Sequence, residues 1–134
     1  MLNSSGNLRV RAYTAGGALP VEGAVIRVTG ASEDNRLVAY STITDRDGLG
    51  ELFTLPAPDV NYSLSPSPAE APYALYDLEI TADGYYTKTI RGISVFSGVN
   101  SIQLVNMIPG SGRMVEDYPR GSINYIIPEN TNLT

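Results

Sequence analysis

Asp45, Asp47 and Glu51 bring three carboxylates close together along the chain, an oxygen-rich run of the kind that coordinates calcium. The full loop pattern for that cation is missing, and Leu49 interrupts the acceptors. Asp45-Arg46-Asp47-Gly48 therefore reads as a solvated tight turn, with Gly48 free to take positive φ. Tyr73, Tyr76, Tyr85 and Tyr86 gather around a second turn, Ala82-Asp83-Gly84. Period-2 alternation sends Tyr76 and Tyr85 inward. It leaves Tyr73 and Tyr86 as rings that could stack on a sugar, each a flat apolar face with a polar tip. Serine and aspartate are plentiful, but the chain has no His and no Cys, which removes imidazole bases, thiol nucleophiles and the usual zinc ligands. No Gly-x-Ser-x-Gly elbow occurs. The acid pair Glu116-Asp117 lies in a polar tail, with no cleft implied to hold two carboxylates apart for glycoside hydrolysis. Gly110-Ser111-Gly112 is spacer chemistry, not a phosphate loop. The expectation is a protein that is not an enzyme, with no cofactor and no metal site.

The elements that carry these residues are strands. Leu8, Val10 and Ala12 alternate with Arg9, Arg11 and Tyr13, and Ala24, Ile26 and Val28 alternate with Val25, Arg27 and Thr29. Leu37 to Thr44, Leu49 to Leu55, Tyr73 to Thr81, Tyr85 to Arg91 and Val99 to Ile108 complete about seven strands, separated by Gly- and Pro-bearing turns. Asp83 to Pro109 reads as the last hairpin. Together these predict an all-β fold, an antiparallel β-sandwich of about seven strands. Pro56 to Pro72 is a proline-rich surface excursion with at most a short edge strand near Tyr62 and Leu64. The expected organisation is an N-terminal arm at 1–6, the sandwich at 7–109, and a C-terminal arm at 110–134. That arm holds one further strand-like run, Ile123-Asn124-Tyr125-Ile126-Ile127, which needs a partner edge in its own domain or in a neighbour.

At 43% apolar and 17% charged residues the chain can bury a core. A net charge of −5, with basic residues scattered singly, disfavours nucleic acid and anionic lipid as partners. No apolar run is long enough for a membrane span, so membrane insertion is not expected, and no signal peptide is visible.

Leu8 to Pro109 resembles a carboxypeptidase-regulatory-like (transthyretin-like, prealbumin-type) domain. The similarity is carried by Leu8-Arg9-Val10-Arg11-Ala12-Tyr13, by Pro20-Val21-Glu22-Gly23-Ala24-Val25-Ile26 with Val28, and by the turns Thr44-Asp45-Arg46-Asp47-Gly48 and Asp83-Gly84-Tyr85. The Leu55-Pro56-Ala57-Pro58 loop, the Tyr73-Ala74-Leu75-Tyr76 strand and the run from Val95-Phe96-Ser97-Gly98 through Gln103 to Ile108-Pro109 are similar to non-catalytic domains of clostridial spore-cortex-lytic and peptidoglycan-binding proteins. The resemblance implies a seven-stranded antiparallel Greek-key β-sandwich (prealbumin-like) without enzymatic activity, acting as a spacer, an adhesion module or a subunit contact. Related Cna-B-type domains join a first-strand Lys to an Asn. Here that strand offers Arg9 and Arg11, and the one lysine is Lys88, so this bond is not carried over.

The expected function is therefore a structural or protein-interaction module of a bacterial cell envelope, spore or surface assembly, self-assembling through its terminal arm. The partner is a protein or copies of the chain itself. The contact residues are Ile123, Tyr125 and Ile127 on the arm and Tyr62 and Leu64 on the proline-rich excursion. The alternative is a carbohydrate- or peptidoglycan-binding accessory module, with cell-wall glycan held by Tyr73 and Tyr86.

Overall fold

A computed structural model describes residues 2–59, 72–117 and 125–126. The alternating segments form strands: β1 (Ser4–Thr14), β2 (Leu19–Pro20), β3 (Val25–Gly30), β4 (Ala39–Ile43), β5 (Phe53–Ala57), β6 (Tyr73–Thr81), β7 (Thr87–Phe96), β8 (Asn100–Asn106), β9 (Arg113–Asp117) and β10 (Tyr125–Ile126). No α-helix occurs among the described residues. One sheet is ordered β10-β8-β1-β2, with β5 also paired to β1, and the other β4-β3-β6-β7-β9. The all-β sandwich architecture is as expected. The strand inventory differs, with ten strands among the described residues in place of seven. The pairing is mixed, because β8 runs parallel to β1 and β9 parallel to β7.

The added strands are β2, β9 and β10, the last inside the strand-like run at 123–127, and three further local features depart from the expectation. The expected last hairpin is an arch, since β7 and β8 belong to different sheets and the chain crosses between them at Ser97-Gly98, where Gly98 has φ 71°. β7 does not stop at Arg91. Gly92, at φ 80°, donates its amide to Asp77 Oδ1 at 3.0 Å, and the register shifts between Tyr76 and Leu78, so a bulge absorbs the extra residue and the strand runs on to Phe96. β5 continues through Pro56, which the sequence places in the loop. The Pro56 carbonyl accepts from Tyr76 on the other sheet, so the side of Pro56 that lacks an N–H faces away from β1, the position an edge strand tolerates. The sheets also take in residues on both sides of 7–109, because β1 begins at Ser4 and β9 follows Gly112.

The core lies between the sheets. Leu8, Val10, Ala12, Leu55 and Val105 from one face Ile26, Val28, Tyr76, Leu78 and Ile80 from the other, all essentially excluded from solvent. Each large aliphatic side chain removed from water contributes about 1.5–3 kcal/mol. The buried polar side chains of Thr44 and Asn35 are matched. Thr44 Oγ1 accepts from the Ala24 amide at 2.8 Å and donates to the Val21 carbonyl at 2.7 Å. Asn35 Nδ2 donates to the Leu75 carbonyl, and its Oδ1 accepts from the Ser32 amide, both at 2.9 Å. The Tyr76 hydroxyl donates to the Pro56 carbonyl at 2.5 Å, joining the sheets, and burial pushes its pKa up to about 12.

Candidate interaction edges

β9 offers few apolar side chains to bury, and none of its five residues is fully buried. Ion pairs hold it instead. Lys88 lies on the inner face of β7 beside Ile80, and its residue is 7% exposed. Its Nζ donates to the Asn106 carbonyl at 3.1 Å and meets Glu116 Oε1 at 3.0 Å, closing the flank between the sheets. On the outer face, the Arg91 guanidinium donates to both oxygens of Asp117, at 2.7 and 3.2 Å. That contact holds the Asp117 carboxyl below the ordinary carboxylate range, through its hydrogen bond first and its charge second. Arg113 reaches Glu79 at 3.1 Å. Glu116 and Asp117, assigned by sequence to a polar tail, thus fasten a sheet edge. β9 is reached by a turn in which the Tyr86 ring lies against the backbone of Gly110 and Gly112, and a Cβ at Gly110 would overlap that ring.

On the other sheet, β10 pairs antiparallel with β8, Tyr125 opposite Ile102 and Ile126 opposite Ser101. Ile102 shares a register position with Arg9, on the outer face of its sheet. It is nonetheless 3% exposed and lies outside the core cluster. An outward-facing apolar side chain is thus covered where the C-terminal arm arrives. Ile123, Ile127, Tyr62 and Leu64 lie outside the described residues, as do the side-chain surroundings of Tyr125.

The two tyrosines expected to face a sugar are half-buried and engaged in packing. Tyr73 stands opposite Phe96 on β7, with ring centroids 5.5 Å apart and planes tilted by 55°. Tyr86 covers the two glycines, and its amide donates to the Ile108 carbonyl at 2.9 Å. Tyr76 is buried and Tyr85 packs against the core. Asp45 Oδ1 accepts from the amides of Asp47 (2.8 Å) and Leu49 (3.1 Å), so its carboxylate shapes the turn, and the Leu49 and Asp47 amides lower its pKa. Among the described residues no three acidic side chains come together to hold a metal ion. A depression of about 230 Å³ on the outer face of the β3–β6–β7 sheet is lined by Arg27, Thr29, Asp77, Leu78, Glu79 and Thr89, with no aromatic ring.

Sequence reasoning missed Lys88, Arg91 and Arg113 as the anchors of a strand. The signal was present in Arg113-Met114-Val115-Glu116-Asp117, whose charges alternate by face: Arg113 and Asp117 outward, Glu116 inward.

No family model matches the chain, and no curated protein matches it. Among solved structures, the Bacillus anthracis TIE protein is similar at a TM-score of 0.51 and 17% identity, over 79% of this chain and 17% of that one. The chain thus spans about a sixth of that protein's length, and the likeness is one of β-sandwich fold. The 3-chlorocatechol 1,2-dioxygenase of Rhodococcus opacus 1CP (TM-score 0.43, 14% identity, 83% of this chain and 61% of that one) and the chlorocatechol 1,2-dioxygenase of Pseudomonas putida (0.40, 14%, 80% and 61%) are more distant.

Proposed function

We propose that this chain is a non-catalytic structural module that works through protein contacts in a bacterial envelope, spore or surface assembly, and that its C-terminal arm makes those contacts. The observation that carries the reading is β10. Tyr125–Ile126 adds to the edge of β8 above Ile102, an apolar residue on an outer sheet face. A segment that completes its own sheet can complete the same sheet in a second copy with the same register, because backbone ladders do not distinguish the two. The chemistry of the chain agrees: there is no imidazole or thiol, and the carboxylates of Glu79, Glu116 and Asp117 are in ion pairs.

Sedimentation velocity of the full chain against a chain ending at Asp117 tests this. The shortened chain, checked for a β-type spectrum, sediments as the smaller species at every concentration. An identical distribution for the two would overturn the reading.

A further inference from the structure

The two edges of the β4-β3-β6-β7-β9 sheet are built differently. β9 carries Arg113, Glu116 and Asp117. β4 lies in an uncharged run, Leu37-Val38-Ala39-Tyr40-Ser41-Thr42-Ile43-Thr44, with no proline, and pairs in register along its described length with β3. Charge, proline and bulges are the means by which proteins blunt exposed edges, and β4 uses none of them. Its residues are β-branched, aromatic or small, the types suited to a sheet.

The direction of the backbone groups follows from the ladder. Gly30 donates to the Val38 carbonyl, and Thr44 donates to the Ala24 carbonyl. The even-numbered residues of β4 therefore face β3. The N–H and C=O groups of Ala39, Ser41 and Ile43 point outward along the open edge. The apolar surface concentrates here too. Of the eight large apolar residues exposed among the described residues, Leu37, Tyr40 and Ile43 lie on or just before β4. Val25 is the cross-strand partner of Ile43, and Leu52 follows Glu51, whose amide donates to Thr42.

We infer that β4 is a docking edge for a second copy of this chain, in an antiparallel β4–β4 pair about a two-fold axis at Ser41. The strand fits itself. Ser41 faces Ser41 of the other copy, and Ile43 faces Ala39, large against small, on the same sheet face. Each of these positions is an outward-pointing one, so each pair exchanges two backbone hydrogen bonds. Tyr40 and Thr42 meet on the inner rim, where Tyr40 already packs on Phe53 at 6.1 Å. Because residues 37–44 are uncharged, an identical strand brings no like charge to the contact, despite the net charge of −5 on each copy. The contact is isologous and closes as a dimer. It uses a different edge from that of β10 and does not depend on the arm.

The chain has no cysteine, so one introduced thiol reports the geometry. A hydrogen-bonded antiparallel pair sets its Cα atoms about 5.5 Å apart, within disulfide reach. In the full chain under mild oxidation, Ser41→Cys forms a covalent dimer, and Val115→Cys, exposed on the opposite edge, forms it far more slowly. Ser41→Pro removes an N–H that points away from β3. It leaves the β3 ladder intact and raises the dimer dissociation constant by about tenfold or more. The inference is overturned if Ser41→Cys crosslinks no faster than Val115→Cys. It is equally overturned if the association state of the Ser41→Pro chain matches that of the unmodified chain. An arm-mediated assembly responds to the loss of residues 118–134 and not to Ser41→Pro, so the two contacts fail separately.

Discussion

The ammonium of Lys88 and the carboxylate of Glu116 meet at 3.0 Å across β7 and β9, the lysine side chain 8% exposed and the glutamate 48%. The half-open partner keeps the pair short of full burial, and the Asn106 carbonyl accepts a hydrogen bond from another N–H of the ammonium. Losing the carboxylate leaves a desolvated charge with one neutral acceptor.

Glu116→Gln is expected to lower the unfolding free energy by about 1–2 kcal/mol, a value discounted for the exposure of the glutamate. Urea unfolding measures this. Hydrogen exchange localises it, with amides of 113–117 gaining the most exchange and those of β1 and β6 keeping their protection.

Attachment of β9 also weakens in acid. The Arg91 contact lowers the Asp117 pKa, and the Leu49 and Asp47 amides lower that of Asp45. A carboxyl held down in the folded state favours folding fully above its unfolded value of about 4. That contribution disappears as pH falls through the lowered folded value. The stability difference between the native chain and Asp117→Asn is therefore present at neutral pH and shrinks as pH falls below the ordinary carboxylate value through the lowered folded one. A difference that grows on acidification would contradict this assignment.

Gly110 has φ 145° and lies against the Tyr86 ring. Gly110→Ala places a methyl in the ring and holds an L-residue in a glycine region, at a cost of about 1–3 kcal/mol. Tyr86→Ala relieves the overlap and not the backbone strain. In a double-mutant cycle the second substitution thus costs less in the Gly110→Ala background than in the native chain.

Tyr76 titrates late. Its pKa of about 12, raised by burial, lies above the ordinary tyrosine value of 10. The folded state therefore keeps the neutral phenol, and its advantage is intact below pH 10 and lost as pH rises from there toward 12. Ultraviolet titration should show a phenol ionising at about pH 12. Tyr76→Phe removes that late step along with the bond to Pro56, costing about 0.5–1.5 kcal/mol.

β1, β3 and β6 are legible because each alternates cleanly, and alternation is a local property. β2 reads as part of a turn, and β5 lies four residues later and ends beyond the run at 49–55 because its bounds are set by pairing with β1. The connection of β7 to β8 is not legible. Val95-Phe96-Ser97-Gly98-Val99 has the composition of a hairpin, and only the position of β1 decides that the chain leaves one sheet for the other. β9 escaped because its stabilising partners, Glu79, Lys88 and Arg91, lie on strands distant in sequence. Tyr73 and Tyr86 look like free faces in the sequence, since nothing near them in sequence shows Phe96 or Gly110 arriving against their rings.

The parallel ladder of β1 with β8, from Asn7 opposite Asn100 to Tyr13 opposite Asn106, has a mechanical consequence. A pull on Ser4 away from the domain drags β1 backward, while a pull on the chain beyond Asn106 draws β8 forward. The two strands are loaded in shear. Their evenly spaced bonds bear tension together, whereas the short antiparallel β10 peels away one rung at a time. Stretched between tethers, this sandwich would give up its tail first and its central seam last.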